Sequence, residues 1–188
     1  DMGTGSGAIA LSIAHEVPNA EIHASDVSRE ALALARSNLA GLGRPATRVL
    51  LHEGDWFDAL PDELFGTLDA LVSNPPYVSP HYELPSEVAN WEPPNALIGG
   101  STGFVNLEHI ARGSRQWLSP GGWLALECGS DQAVRLHHLL IARGYTEVSI
   151  KNDLAGNDRA VMARRPLDDV EERHLSAASV ALRSGNLV

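Results

Sequence analysis

The sequence predicts an α/β domain: a mostly parallel sheet with helices on both faces and an antiparallel hairpin at its carboxyl end. Three observations predict it. Short apolar runs such as Leu68–Val72 and Trp123–Cys128 stop abruptly at turn residues, as strands buried on both faces do. Stretches with apolar residues at helical spacing stand between them, so strands and helices alternate along the chain. Near the end, Thr146–Ile150 and Arg159–Ala163 form a closing antiparallel pair.

Taken in order, Asp1-Met2-Gly3-Thr4-Gly5-Ser6-Gly7 runs straight into the apolar helical stretch Ala8–Ala14. Alternating glycines before a helix let the backbone come close to a ligand at the helix N-terminus, a cradle of nucleotide type. The spacing is G-x-G-x-G and departs from the dinucleotide pattern, so a plain turn also fits these residues taken alone. The helix is expected to end near Val17-Pro18-Asn19, and Ala20–Asp26 reads as a short strand with an acid at its tip. Asp26 stands about 20 residues beyond the glycines, where such an acid grips a ribose hydroxyl pair. It also suits a helix start, with Ser28 as N-cap of a helix from Arg29 to Leu42. The glycine loop upstream favours the ribose role. Arg48–Glu53 reads as a third strand leading to Asp55, Trp56 and Phe57. An acid beside an aromatic ring suits a purine, and Trp56 and Phe57 equally suit a core.

The strand Leu68–Val72 runs into Ser73-Asn74-Pro75-Pro76-Tyr77. Proline cannot donate to a sheet ladder and holds φ at about −65°, and it keeps the residue before it extended. Asn74 is therefore delivered on a stiff support to the carboxyl ends of the strands, where open α/β sheets bind ligands. The Asn74 side chain and the Pro75 carbonyl supply two acceptors that hold the two hydrogens of a planar NH2 group, and Tyr77 can stack on that group. An amide or exocyclic amine is a poor nucleophile, so alignment supplies most of the acceleration. An Asn-Pro turn of no chemical interest is the bland alternative.

Residues 78–100 form a long Pro-, Glu- and Asn-rich connection, read as a substrate-side flap. A helix over Gly103–Leu118 closes at Ser119-Pro120-Gly121-Gly122, the strand Trp123–Cys128 follows, and Asp131–Arg143 gives the last helix.

Gly3 to Gly7, Asp26, Asp55-Trp56 and Asn74-Pro75-Pro76-Tyr77, in this order, resemble the class I S-adenosylmethionine-dependent methyltransferases, whose fold is Rossmann-like. More closely, the set is similar to the HemK/PrmC protein-glutamine methyltransferases, which modify the Gly-Gly-Gln glutamine of peptide chain release factors. The segments Glu83–Val88, Trp91–Leu97 and Asp153–Arg159 carry that closer likeness, which extends from Asp1 to about Arg165. Asn90 stands where members commonly carry Arg or Asp, and Met2 where they carry Leu. The resemblance implies S-adenosylmethionine as cofactor, leaving S-adenosylhomocysteine as product. It assigns Gly3, Thr4, Gly5, Ser6 and Gly7 to the methionine part, Asp26 to the ribose, and Trp56 with Asp55 to the adenine. It makes Asn74, Pro75 and Tyr77 the catalytic set, with Asn74 also touching the cofactor and Pro76 joining them around the substrate amide. A release factor is the implied partner, and the cytoplasm the implied location.

The glycine cradle needs a strand feeding it, yet the sequence opens at Asp1. It is thus read as a piece of a longer protein, lacking the body of the first strand and, on the resemblance, a helical N-terminal domain that grips release factors. Residues 1–165 are read as the methyltransferase domain and 166–188 as a tail. The 24 acidic against 14 basic residues give a net charge of −10, which counts against DNA or rRNA as substrate. The eight histidines fall in no metal-ligand spacing, no membrane span is visible, and the single cysteine, Cys128, lies in an apolar strand as a core thiol. Three rival readings remain: an adenine amino-methyltransferase, a methyltransferase for a ribosomal-protein glutamine, and a cofactor-binding interaction module.

Overall fold

The computed structural model describes residues 1–82 and 93–167. The expectations for Glu83–Val88, Asn90 and Trp91-Glu92, and for the tail from Asp168 onward, lie outside the described residues. The elements are α1 (Ala8–Glu16), β1 (Ile22–Asp26), α2 (Arg29–Leu42), β2 (Val49–Glu53), β3 (Leu68–Ser73), α3 (Pro94–Leu97), α4 (Val105–Trp117), β4 (Leu118–Glu127), α5 (Ala133–Ala142), β5 (Thr146–Asn152) and β6 (Asp158–Arg164).

β1 pairs in parallel with β2 and β3 with β4, while β6 runs antiparallel to both β4 and β5. Met2 joins the two halves by parallel bridges to Ser25 and Ser73. Across the sheet the order is β2-β1-Met2-β3-β4-β6-β5, so the chain turns one way after Met2 and the other way at β3. Toward the amino ends of β1 and β3 the two strands are separated by a cleft of about 440 Å³ lined by Ile13, Ile22, Leu60, Leu64, Leu68 and Leu71 among others.

Side chains alternate between faces along a strand, which sorts the core. Ile22 and Ala24 pack with Ala10 and Ala14 of α1 on one face. Leu71, Leu124, Leu126 and Val161 pack with Leu107 and Ile110 of α4 and Leu136 and Leu140 of α5 on the other. The larger cluster is fully excluded from water at most of these positions, and each such side chain contributes roughly 1.5–3 kcal/mol.

α2 begins and ends as its cap predicts, with Ser28 Oγ accepting from Ala31 N at 3.1 Å. α1 has its carboxyl end held by the Arg48 guanidinium, which donates to the carbonyls of Val17 and Ala20 at 2.8 Å and also to that of Ala14. One expectation is corrected. Ser119–Gly122 is not a turn ahead of the strand; β4 already begins at Leu118. Leu118 pairs with Leu68 and Trp123 with Ala70, so the Pro-Gly-Gly stretch is looped out as a bulge inside the ladder. Its backbone pairs instead with Arg165, through Gly121 N to Arg165 O and Arg165 N to Gly122 O.

Candidate active site

The register decides what meets at the strand tips. Met2 lies between Ser25 and Ser73, so the residues that follow them, Asp26, Gly3 and Asn74, emerge side by side at the carboxyl ends of adjacent strands, about 4.8 Å apart in strand spacing. The junction is tightly bonded: Met2 N donates to Val72 O at 3.0 Å, Thr4 N to Ser25 O at 2.9 Å, and Ser73 Oγ to Met2 O at 2.7 Å. Because the strand order reverses at Met2, this is the crevice where a doubly wound sheet binds its ligand.

Gly3, Gly5 and Gly7 all hold positive φ (67°, 57° and 85°), which side-chain-bearing residues rarely adopt. A Cβ on Gly5 would meet nothing within 4 Å, so space is open above the loop. Gly5 N donates to Asp26 Oδ2 and Ser28 N to Asp26 Oδ1, both at 2.9 Å. Asp26 therefore ties the loop to the start of α2, and each carboxylate oxygen keeps acceptor capacity. Thr4 is buried, with its hydroxyl donating to Asp1 Oδ2 at 2.6 Å; it shapes the loop from beneath. Ser6 lends its carbonyl to Asn38 Nδ2 at 2.9 Å. Asp1 Oδ2 also accepts from Ala10 N in the first turn of α1, while Asp1 Oδ1 is buried with no hydrogen-bond partner among the described residues.

Trp56 is brought to the same place. A Cβ on Gly3 would lie 3.6 Å from its indole, and Trp56 holds φ at 41°, a strained conformation of the kind that clusters at ligand sites. Asp55 beside it is exposed. Phe57 turns inward, stacking on Trp117 at 6.0 Å, while Trp56 does both things the sequence allowed, packing against the core and bordering the glycine loop.

Asn74 is exposed, and among the described residues its carboxamide makes no hydrogen bond; the Pro75 ring behind it is buried. The neighbouring carbonyls are taken. Asn106 Nδ2 donates to Pro76 O at 3.0 Å and Gln132 Nε2 to Tyr77 O at 2.9 Å, while no described donor reaches the Pro75 carbonyl. Two acceptors, the Asn74 side chain and Pro75 O, are thus left for a ligand. The Tyr77 hydroxyl lies between Glu127 and Arg159. Burial, and then the Glu127 charge, push its pKa above the usual phenol value. Gly99 and Gly103 back the motif so closely that a Cβ on either would come within 2.7 Å of Pro76 O or Tyr77 O. Asn106, Gln132, Gly99 and Gly103 carry no local signal in the sequence. Among the described residues no cluster of three His, Cys, Asp or Glu could hold a metal ion, and no helix is long and apolar enough to cross a membrane.

Comparison with known proteins bears on the fold and on the relatives of this chain. Residues 1–90 match the methyltransferase small domain. The chain is 43% identical over 169 residues to the release factor glutamine methyltransferase of Xylella fastidiosa, an alignment covering 88% of this chain and 59% of that protein. It is 44% identical over 168 residues to the protein of the same name from Synechocystis, covering 87% and 55%. A solved methyltransferase from Pyrococcus furiosus superimposes with a TM-score of 0.64 at 22% identity, over 87% of this chain and 72% of its own. The chain has a class I methyltransferase fold. It spans somewhat over half the length of the curated relatives it matches. In this methyltransferase fold the glycine loop sits at the reversal of strand order and Asn74 at the next tip, so the two features read separately from the sequence share one crevice.

Proposed function

We propose that this chain transfers a methyl group from S-adenosylmethionine to the side-chain amide nitrogen of a glutamine, the one in the Gly-Gly-Gln segment of a peptide chain release factor. One observation carries the reading: beside the glycine loop, an exposed Asn74 carboxamide and the adjacent Pro75 carbonyl stay open while Asn106 and Gln132 occupy the next two carbonyls. The relatives' shared name supports the choice of glutamine and release factor.

The residues present fit the cofactor. Open space lies above Gly5, Asp26 keeps acceptor capacity for a ribose diol, and the strained, half-buried Trp56 with exposed Asp55 suits an adenine. When bound, S-adenosylmethionine supplies an electrophilic methyl group: the S–C bond breaks as the N–C bond forms, sulfur keeps the electron pair, and the amide nitrogen releases one proton to solvent. Asn74 and Pro75 O hold the two amide hydrogens, which fixes the amide plane and so aims the nitrogen lone pair, perpendicular to that plane, in one direction. Tyr77 covers the flat face of the amide. Alignment of this kind supplies up to roughly 7–11 kcal/mol in well-oriented systems. The same acceptors fit the amino group of adenine, but a net charge of −10 disfavours a polyanionic substrate. Translation termination takes place in the cytoplasm, and that setting goes with this reading.

Incorporation of labelled methyl, assayed in parallel on a release factor, a ribosomal protein, DNA and RNA, tests it. Label in the release factor at glutamine is the expected result; label in nucleic acid alone would replace glutamine with adenine.

A further inference from the structure

The hydroxyl of Tyr77 is gripped by two side chains from distant parts of the chain. It donates to Glu127 Oε1 at 3.1 Å and accepts from Arg159 Nη1 at 3.4 Å. Arg159 is itself held by Asp153 Oδ2, through Nη2 at 3.3 Å and Nε at 3.4 Å. Asp153 in turn accepts on Oδ1 from Ala155 N at 3.0 Å and Asn157 N at 2.9 Å, which fixes the loop between β5 and β6. Leu126 pairs with Ser73, so Glu127 follows it at the tip next to Asn74. With Gln132 on its carbonyl, Tyr77 is pinned at both ends.

We propose that Glu127 and Arg159 are positioning residues for the amide site, acting through the Tyr77 hydroxyl to hold its ring as a fixed wall beside Asn74 and Pro75. This rests on the reading of the site as one that holds a glutamine amide. A ring released at its hydroxyl end can tilt, and misplacement of about 1 Å at a reacting centre costs on the order of 100-fold. Because its only proton is spent on Glu127, the phenol orients the substrate and takes no part in proton transfer.

The test combines tyrosine-ring NMR with kinetics, using the full chain and a Gly-Gly-Gln peptide. In 13C-tyrosine-labelled protein, Glu127→Gln removes the neighbouring anion and moves the Tyr77 titration to lower pH, while that of Tyr145, which is bonded to Ser114, stays in place. Tyr77→Phe and Glu127→Gln each lower kcat on the peptide at least about tenfold with cofactor affinity unchanged, and the double variant is no worse than Tyr77→Phe alone, because both remove the same link. A Tyr77 titration unmoved by Glu127→Gln, or losses that multiply in the double variant, would overturn the proposal. If the wild-type chain transfers no methyl group to the peptide, the glutamine reading fails by itself and the NMR titration still decides whether the grip exists.

Discussion

Ser73 Oγ donates a 2.7 Å hydrogen bond to the carbonyl oxygen of Met2, between two residues that are 2% and 1% exposed. This bond fastens the tip that carries Asn74 to the tip that carries the glycine loop. In Ser73→Ala the Met2 carbonyl loses that partner in a dry setting, at a cost of about 1–3 kcal/mol. A lower urea denaturation midpoint is expected, with an unchanged slope, so that midpoint shift times slope gives that loss; an unchanged midpoint would mean the tips are held by other contacts.

Gly113 sits inside α4, where glycine ordinarily costs about 1 kcal/mol relative to alanine. Here the usual sign is expected to reverse. A Cβ would stand 2.3 Å from Phe57 Cε2 and 2.8 Å from Cδ2, so Gly113→Ala must displace the ring that neighbours Trp56. Overpacking of this kind costs about 1–3 kcal/mol. Thermal unfolding together with tryptophan fluorescence checks it: a lower Tm and a changed emission are predicted, whereas a stabilised variant would show that the contact relaxes freely.

Cys128 is fully buried, and burial pushes its thiol up to about 11. Alkylation needs the thiolate, so iodoacetamide at pH 8 should leave the folded chain unlabelled and label it fully in denaturant. The folded-state pKa is raised, so the native fold holds the proton longer than the unfolded chain does. Stability is therefore retained below the unfolded value of 9.0 and falls as pH rises toward about 11. Rapid labelling of the native protein would contradict this placement.

The parts of this protein written in local sequence were legible. Ser28 announces α2 because a cap acts on the three residues that follow it, and Pro75-Pro76 announces the end of β3 because proline cannot continue a ladder. Gly3 to Gly7 and Asn74 were each readable as strand-tip features, and the bridges through Met2 supply what pattern could not, their adjacency. What stayed hidden depends on contacts between distant residues. The bulge at Ser119–Gly122 follows from the pairing of Leu118 with Leu68, some 50 positions away, and the turn-like composition there concealed it. Glu127 and Arg159 reach Tyr77 across 50 and 82 residues, and Gly113 is explained only by the ring of Phe57 lying over it.

The central claim is that the Asn74 carboxamide and the glycine loop serve one reaction in one crevice. Asn74→Ala measures it most directly, with S-adenosylmethionine binding followed by calorimetry and labelled-methyl transfer followed on a Gly-Gly-Gln peptide. The account predicts cofactor affinity within about twofold of wild type and transfer reduced at least about 100-fold. Transfer at the wild-type rate would contradict it.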